Sequence, residues 1–232
     1  MNNRVRWTCV TWLVASIAIA GCTTSVATSP TPSSQTRATT ASPATSTTAP
    51  PPTGYVDPID RLIVAPPYTE QPYRRAMFGE DWIDADRDCH NTRAEVLMQE
   101  STAPVTFNPN GCTVATGQWT DPWSGFTSTN AADFQIDHTV PLADAWRSGA
   151  WAWDDARRLD FANDLDDPNT LNALRGTVNE SKGDKGPEAW RPPLPATWCA
   201  YAQGWARIKA TWGLTVTSSE LAALKDMATT CA

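Results

Sequence analysis

Phe134-Gln135-Ile136-Asp137-His138-Thr139-Val140-Pro141-Leu142 is the stretch on which the reading of this chain turns. Apolar and polar residues alternate over its first three positions, the period of a strand with one buried face. The strand runs into an acid and an imidazole side by side, and residues 140–146 then turn helical until Ser148-Gly149 stops them. The chain has two histidines, His90 and His138. A histidine-dependent hydrolase must therefore use one of them. His90 stands beside Cys89 ahead of a helix, where a surface or capping role is expected. His138, at a strand end beside a carboxylate, is the one placed for chemistry.

Downstream, residues 156–162 read as a helix leading to Asn163-Asp164, and 171–174 as a short apolar strand. Asn179 to Lys182 form or sit within a short helix that Gly183 and Gly186-Pro187 end. Trp198, Tyr201, Trp205, Ile208 and Trp212 mark one face of a longer helix. Thr217-Ser218-Ser219-Glu220 is a capping box for a last helix that turns Leu221, Leu224 and Ala228 inward. Upstream, residues 88–100 read as a helix capped by Asn91 or Thr92. Residues 105–107 and 113–119 read as strands joined by the turn Asn108-Pro109-Asn110-Gly111. The proline-rich run 55–73 is expected to be extended. Strands and helices alternate without repeats, so the fold class expected is α+β.

The first 54 residues read differently. Arg4 and Arg6 precede an apolar run from Val10 to Ala20, too short to span a membrane comfortably and shaped like an export signal. Ile19-Ala20-Gly21-Cys22 resembles a lipobox, which implies cleavage after residue 21 and a lipid on Cys22. Ordinary secretion is the alternative. Residues 22–54 are almost wholly Thr, Ser, Ala and Pro, and such a segment cannot bury enough surface to offset its ordering entropy. The expected organisation is a signal over 1–21, a tether over 22–54 and a domain over 55–232. It places the domain outside the cytoplasm, held to the membrane by the lipid alone.

Four cysteines fall in the domain: Cys89, Cys112, Cys199 and Cys231. An even number in an exported chain points to disulfides. Of three pairings, the sequence-local one is expected, Cys89 with Cys112 and Cys199 with Cys231, each closing a loop that stabilises by about 3–4 kcal/mol. No Cys-x-x-Cys pair supports a zinc site. Ten of the twelve tryptophans are scattered through the domain, as core anchors would be. The net charge is −7, and −9 once Arg4 and Arg6 leave with the signal. That balance opposes tight, non-specific binding to nucleic acid unless a local basic cluster answers it.

Asp137-His138-x-Val140-Pro141-Leu142, Ala162-Asn163-Asp164 and Asn179-x-Ser181-Lys182-Gly183-Asp184-Lys185 form an ordered set. Together with Asp88-Cys89, Thr92 to Leu97, Ala145-Trp146-x-Ser148-Gly149-Ala150 and Trp190-x-Pro192-Pro193, it resembles the exported bacterial branch of the HNH nucleases. The resemblance covers most of residues 80–231. It implies a ββα-metal core, two strands and a helix around one divalent ion, embedded in a mainly helical, disulfide-stabilised domain. By the same resemblance Asp137 and Asn179 would be metal ligands, and hard oxygen donors suit Mg²⁺ or Mn²⁺. His138 would be the general base. Lys182, three residues after Asn179 on one helix face, would contact the scissile phosphate or its neighbour. Many HNH proteins place an asparagine where this chain has Thr170, with Asn169 one residue earlier; Asn163 is the preferred candidate for orienting His138. Arg93 and Lys185 are candidate substrate-binding residues, and Arg175 and Arg191 could add to the basic patch.

These readings imply a monomeric endonuclease acting on DNA, and secondarily RNA. A catalytically silent envelope-binding module on the same scaffold is the alternative, and a hydrolase of another phosphodiester would keep the same site.

Overall fold

The computed structural model describes residues 57–231. The expected signal, Cys22, the tether and the first two residues of the expected domain lie outside the described residues. Among those described, helices surround two small sheets, and no helix is long and apolar enough to cross a membrane.

The first helix, α1, spans Thr92–Glu100 and is capped by Asn91, whose side chain accepts from Ala94 N–H. It starts four residues later than expected. Arg87 and Cys89 take φ of 68° and 77°, values no helix interior accepts, so residues 84–90 form a loop. Three antiparallel strands follow: β1 (Thr106–Phe107), β2 (Val114–Thr120) and β3 (Thr127–Asn130), with β2 central. β3 was not expected; its sequence, Thr-Ser-Thr-Asn, is polar and its residues are largely exposed, so no apolar alternation announces it.

β4 (Phe134–His138) pairs antiparallel with β5 (Leu171–Arg175), and His138 faces Leu171 at one end of the register. Between them lie α2 (Leu142–Arg147) and α3 (Asp155–Ala162). α4 (Gly176–Lys182) follows β5 directly. Its first residue is a glycine because a Cβ there would come within 3.2 Å of the Gln135 side chain on β4.

The β4–β5 ribbon separates two apolar cores. Phe134, Ile136, Leu171 and Ala173 join Val96, Leu97, Val114 and Trp119 in one. Leu174 joins Val140, Trp146, Phe161, Tyr201, Trp205 and Leu224 in the other. The larger core is built on α5 (Trp198–Trp212) and α6 (Ser218–Ala228), which begins with the expected capping box. Trp119 and Trp205 are among the largest fully buried side chains, as core anchors should be. Trp151 is 43% exposed and stacks on Tyr68 at the surface instead. Lys209, fully buried, joins α5 to α2 and α6 through Asp144 and Glu220, each at 2.6 Å. The disulfides are Cys89–Cys112, between the 84–90 loop and the turn before β2, and Cys199–Cys231, from the start of α5 to the end of α6.

Candidate functional site

Strand alternation decides where the side chains of β4 go. Gln135 and Asp137 lie on the face that α4 covers, because Asn179 and Lys182 on α4 meet them. Asn179 Nδ2 donates to Gln135 Oε1 at 2.8 Å, and Lys182 Nζ donates to Asp137 Oδ1 at 2.9 Å. Residues 179 and 182 share a helix face, so α4 runs along β4 with each contacting every second strand residue. Asn179 therefore sits over Gln135, two residues along β4 from Asp137.

Lys182 is wholly buried. Its ammonium lies 2.9 Å from Asp137 Oδ2 and donates to the His138 carbonyl at 2.8 Å. The sequence reading gave this lysine to a phosphate; the structure gives it to the carboxylate, since α4 packs too closely on β4 for the side chain to reach solvent. Burial pushes the Asp137 carboxyl upward, and the Lys182 ammonium pulls it back. Asp137 Oδ2 is buried and, although within ion-pair distance of Lys182, accepts no hydrogen bond of good geometry.

His138, the last residue of β4, packs its imidazole between aromatic rings. Its ring lies 5.4 Å from that of Trp82, at 18° between planes, and 6.4 Å from that of Phe161, at 21°. A carbonyl only accepts, so the 2.9 Å contact between His138 Nε2 and the Ala162 oxygen fixes the proton on Nε2. Nδ1 is left as the basic nitrogen. The ring is half-buried in these apolar surroundings, and burial pushes its pKa down to about 3. It is neutral at pH 7, the state in which an imidazole can take a proton.

Asn163 does not touch His138. Its Oδ1 accepts from Ile83 N–H at 3.2 Å and from Thr92 Oγ1 at 2.7 Å, and its Nδ2 donates to the Leu159 carbonyl at 2.9 Å. The orienting contact belongs to the backbone of its neighbour, Ala162, because α3 ends there and releases its last carbonyls. Asn169 and Thr170 tie the strand ends together. Thr139 Oγ1 donates to the Asn169 carbonyl at 2.6 Å, and Thr139 N–H to that of Thr170 at 2.9 Å.

Arg93 is committed within the domain, donating to the carbonyls of Ala131 and Phe134 at 3.3 and 2.9 Å. Lys185 is exposed just beyond α4, with Nζ donating to the Ser181 carbonyl at 2.6 Å. Arg175 is exposed at the end of β5, its guanidinium 4.5 Å from the Phe126 ring, and Arg191 pairs with Asp226.

The other histidine lies in a cluster that the sequence reading missed. Ligand atoms of Asp88, His90 and Glu95 lie within 4.8 Å of one another, as do those of Asp84, Asp86 and Asp88. The alternate acids at 84, 86 and 88 were the available signal, hidden by reading residue 88 as helical. Their hydrogen bonds are largely internal: Asp84 accepts from Arg87 and Cys89 N–H, and Asp88 from His90 N–H and Nδ1. The Asp88 carboxylate raises the His90 pKa through that bond.

Residues 90–227 match the family model described as GmrSD restriction endonucleases, C-terminal domain. An "Uncharacterized secreted protein" of Arthroderma benhamiae is 42% identical over 170 residues, covering 73% of this chain and 81% of that protein. No solved structure matches. The matched segment contains β4, β5 and α4, with Asp137, His138, Ala162, Asn179 and Lys182; Trp82 lies outside it. With well over half its length inside that model, the chain belongs to the nuclease family of the GmrSD restriction endonuclease C-terminal domain.

Proposed function

We propose that this protein is a divalent-metal-dependent endonuclease that hydrolyses phosphodiester bonds of DNA, with RNA a secondary substrate, outside the cytoplasm. One observation carries the assignment: the Ala162 carbonyl holds His138 in a single tautomer with Nδ1 as the proton acceptor. An imidazole held in one tautomer with one ring nitrogen left to accept has the geometry of a general base.

The succession β4, β5, α4 has the strand–strand–helix order of a ββα-metal core, and we assign it that role. The donor set fits a hard cation: Asp137 brings a buried oxygen without a hydrogen bond, and Asn179 on the covering helix brings an amide oxygen. These two residues would hold Mg²⁺ or Mn²⁺, which supplies charge stabilisation to the phosphoryl and leaving oxygens. The residues of the chain do the rest. His138 Nδ1 accepts the proton of the attacking water, and the Ala162 carbonyl stabilises the imidazolium through Nε2–H. Lys182 offsets part of the effect of burial on Asp137. Lys185, exposed beyond α4, is assigned to a substrate phosphate.

The N-terminal sequence and the printed name of the Arthroderma benhamiae relative both favour export. Acylated Cys22 at the mature N-terminus, seen by mass spectrometry, is the expected mark of anchoring; an unmodified terminus would assign secretion.

The enzyme test uses the mature chain and supercoiled plasmid. Mg²⁺ or Mn²⁺ should support nicking and chelator should stop it. His138→Ala should lower the rate by at least about 100-fold, the usual contribution of a general base, with an unchanged melting temperature. An inert wild-type chain across several divalent ions, or undiminished nicking by His138→Ala, would overturn the proposal.

A further inference from the structure

The end of α3 grips the imidazole of His138 and the segment that carries Trp82 at the same time. The Ala162 carbonyl takes His138 Nε2–H at 2.9 Å. The next residue, Asn163, accepts from the backbone N–H of Ile83 at 3.2 Å. Ile83 is held from a second side, since its carbonyl accepts from Thr92 N–H at 2.8 Å. The Thr92 hydroxyl lies 2.7 Å from Asn163 Oδ1. Trp82 is thus fixed through its neighbour to the N-terminus of α1 and the C-terminus of α3. Its ring meets His138 nearly face to face, at 5.4 Å and 18°.

Resting on the nuclease reading above, we infer that Trp82 and Asn163 are positioning residues that set the plane of the His138 ring and so the direction of Nδ1. A hydrogen bond to one ring nitrogen fixes where that nitrogen sits but leaves rotation about the Nε2···O line. A flat aromatic neighbour removes that freedom. Trp82 supplies the flat surface, and Asn163 ties the backbone beside it to the helix end that supplies the carbonyl. Trp82 is half-buried, and it precedes the irregular loop 84–90 rather than lying on a helix or strand. Its ring packs on the smaller core, and those bonds hold the backbone beside it. A misdirected base is costly, because a displacement near 1 Å can lower a rate by about 100-fold.

The test compares Trp82→Leu, which keeps apolar bulk without a ring, Trp82→Phe, which restores a smaller ring, and Asn163→Ala. Steady-state kinetics on a labelled duplex should show kcat lowered about 30–100-fold in Trp82→Leu, with KM within about twofold. Trp82→Phe should recover most of that loss, and Asn163→Ala should lose about 5–20-fold in kcat. In metal-free protein, the imidazole ¹⁵N signals of His138 should report one tautomer in the wild type and Trp82→Phe, and broadened signals in Trp82→Leu. This second readout needs no activity. A Trp82→Leu chain with full kcat, or one that loses KM alone, overturns the inference. So does a Trp82→Phe chain no better than Trp82→Leu. If Trp82→Leu does not fold, unaltered His138 signals and full kcat in Asn163→Ala overturn it equally. Failure of the nuclease reading would look different, since His138→Ala would then cleave as fast as the wild type.

Discussion

Lys182 closes α4 with a charge that has no contact with solvent, and Asp137 is its counter-charge at 2.9 Å. Neither ion could stay buried alone, because the desolvation of a carboxylate or an ammonium in the interior costs several kcal/mol. Lys182→Met, similar in length and uncharged, should therefore cost about 3–5 kcal/mol, read as a lowered urea midpoint, by stranding the Asp137 carboxylate. Adding Asp137→Asn should return much of the loss. The single variant also tests the cation assignment. With the ammonium gone, Mn²⁺ should raise the melting temperature of Lys182→Met more than that of the wild type. Equal increments in the two chains would place the ion away from Asp137.

At the scale of elements, β5 is the informative case. It has one partner strand, so its outer N–H groups need other acceptors. Glu100, the last residue of α1, takes Ala173 N–H on both carboxylate oxygens at 3.2 and 3.1 Å, and Asp121 takes Arg175 N–H at 3.0 Å. Burial, with Asp121 adding repulsion, raises the Glu100 pKa to about 7. A carboxyl whose folded pKa exceeds its unfolded value binds more protons in the native state, so stability is full below about pH 4.5 and declines as pH rises to about 7. The decline should amount to about 3 kcal/mol. Glu100→Gln should abolish this slope between pH 5 and pH 8 in urea unfolding; a slope unchanged by the substitution would locate the titrating group elsewhere. None of this edge capping is legible in the sequence, because Glu100 and Ala173 are distant in the chain and one partner is a backbone N–H. The same reason hid the Ala162 carbonyl, and it hid Trp82, which sits among charged residues without a period. What could be read was local. The alternation of Phe134 to Ile136, the apolar faces of α5 and α6, the Thr217–Glu220 box and the sequence-local cysteine pairs each declare themselves within a short span. Asp137 and His138 were legible as an adjacent pair, whereas their partners, Lys182 and the Ala162 carbonyl, lie far along the chain.

Across the whole molecule the charge is −7, and much of the positive charge is already committed. Lys182 and Lys209 are buried in ion pairs, while Arg147, Arg158, Arg191 and Arg207 pair with Asp184, Asp155, Asp226 and Asp167. Arg93 is bound to backbone carbonyls. A long polyanion approaching the α4 side of the ribbon meets Lys185, exposed just beyond α4. Few phosphates can then be neutralised, and each contributes close to one unit to the salt dependence of binding. Duplex binding by the inactive His138→Ala chain, followed by fluorescence anisotropy without divalent metal, should weaken with salt on a log–log slope of only about −1 to −3. Lys185→Ala should reduce that slope by about one unit. Such a shallow slope would mean that the substrate is held mainly by the site itself, so affinity without metal should be low and turnover should not be limited by release of a tightly held backbone. A slope steeper than about −6, unaffected by Lys185→Ala, would put the nucleic-acid face on another side of the domain.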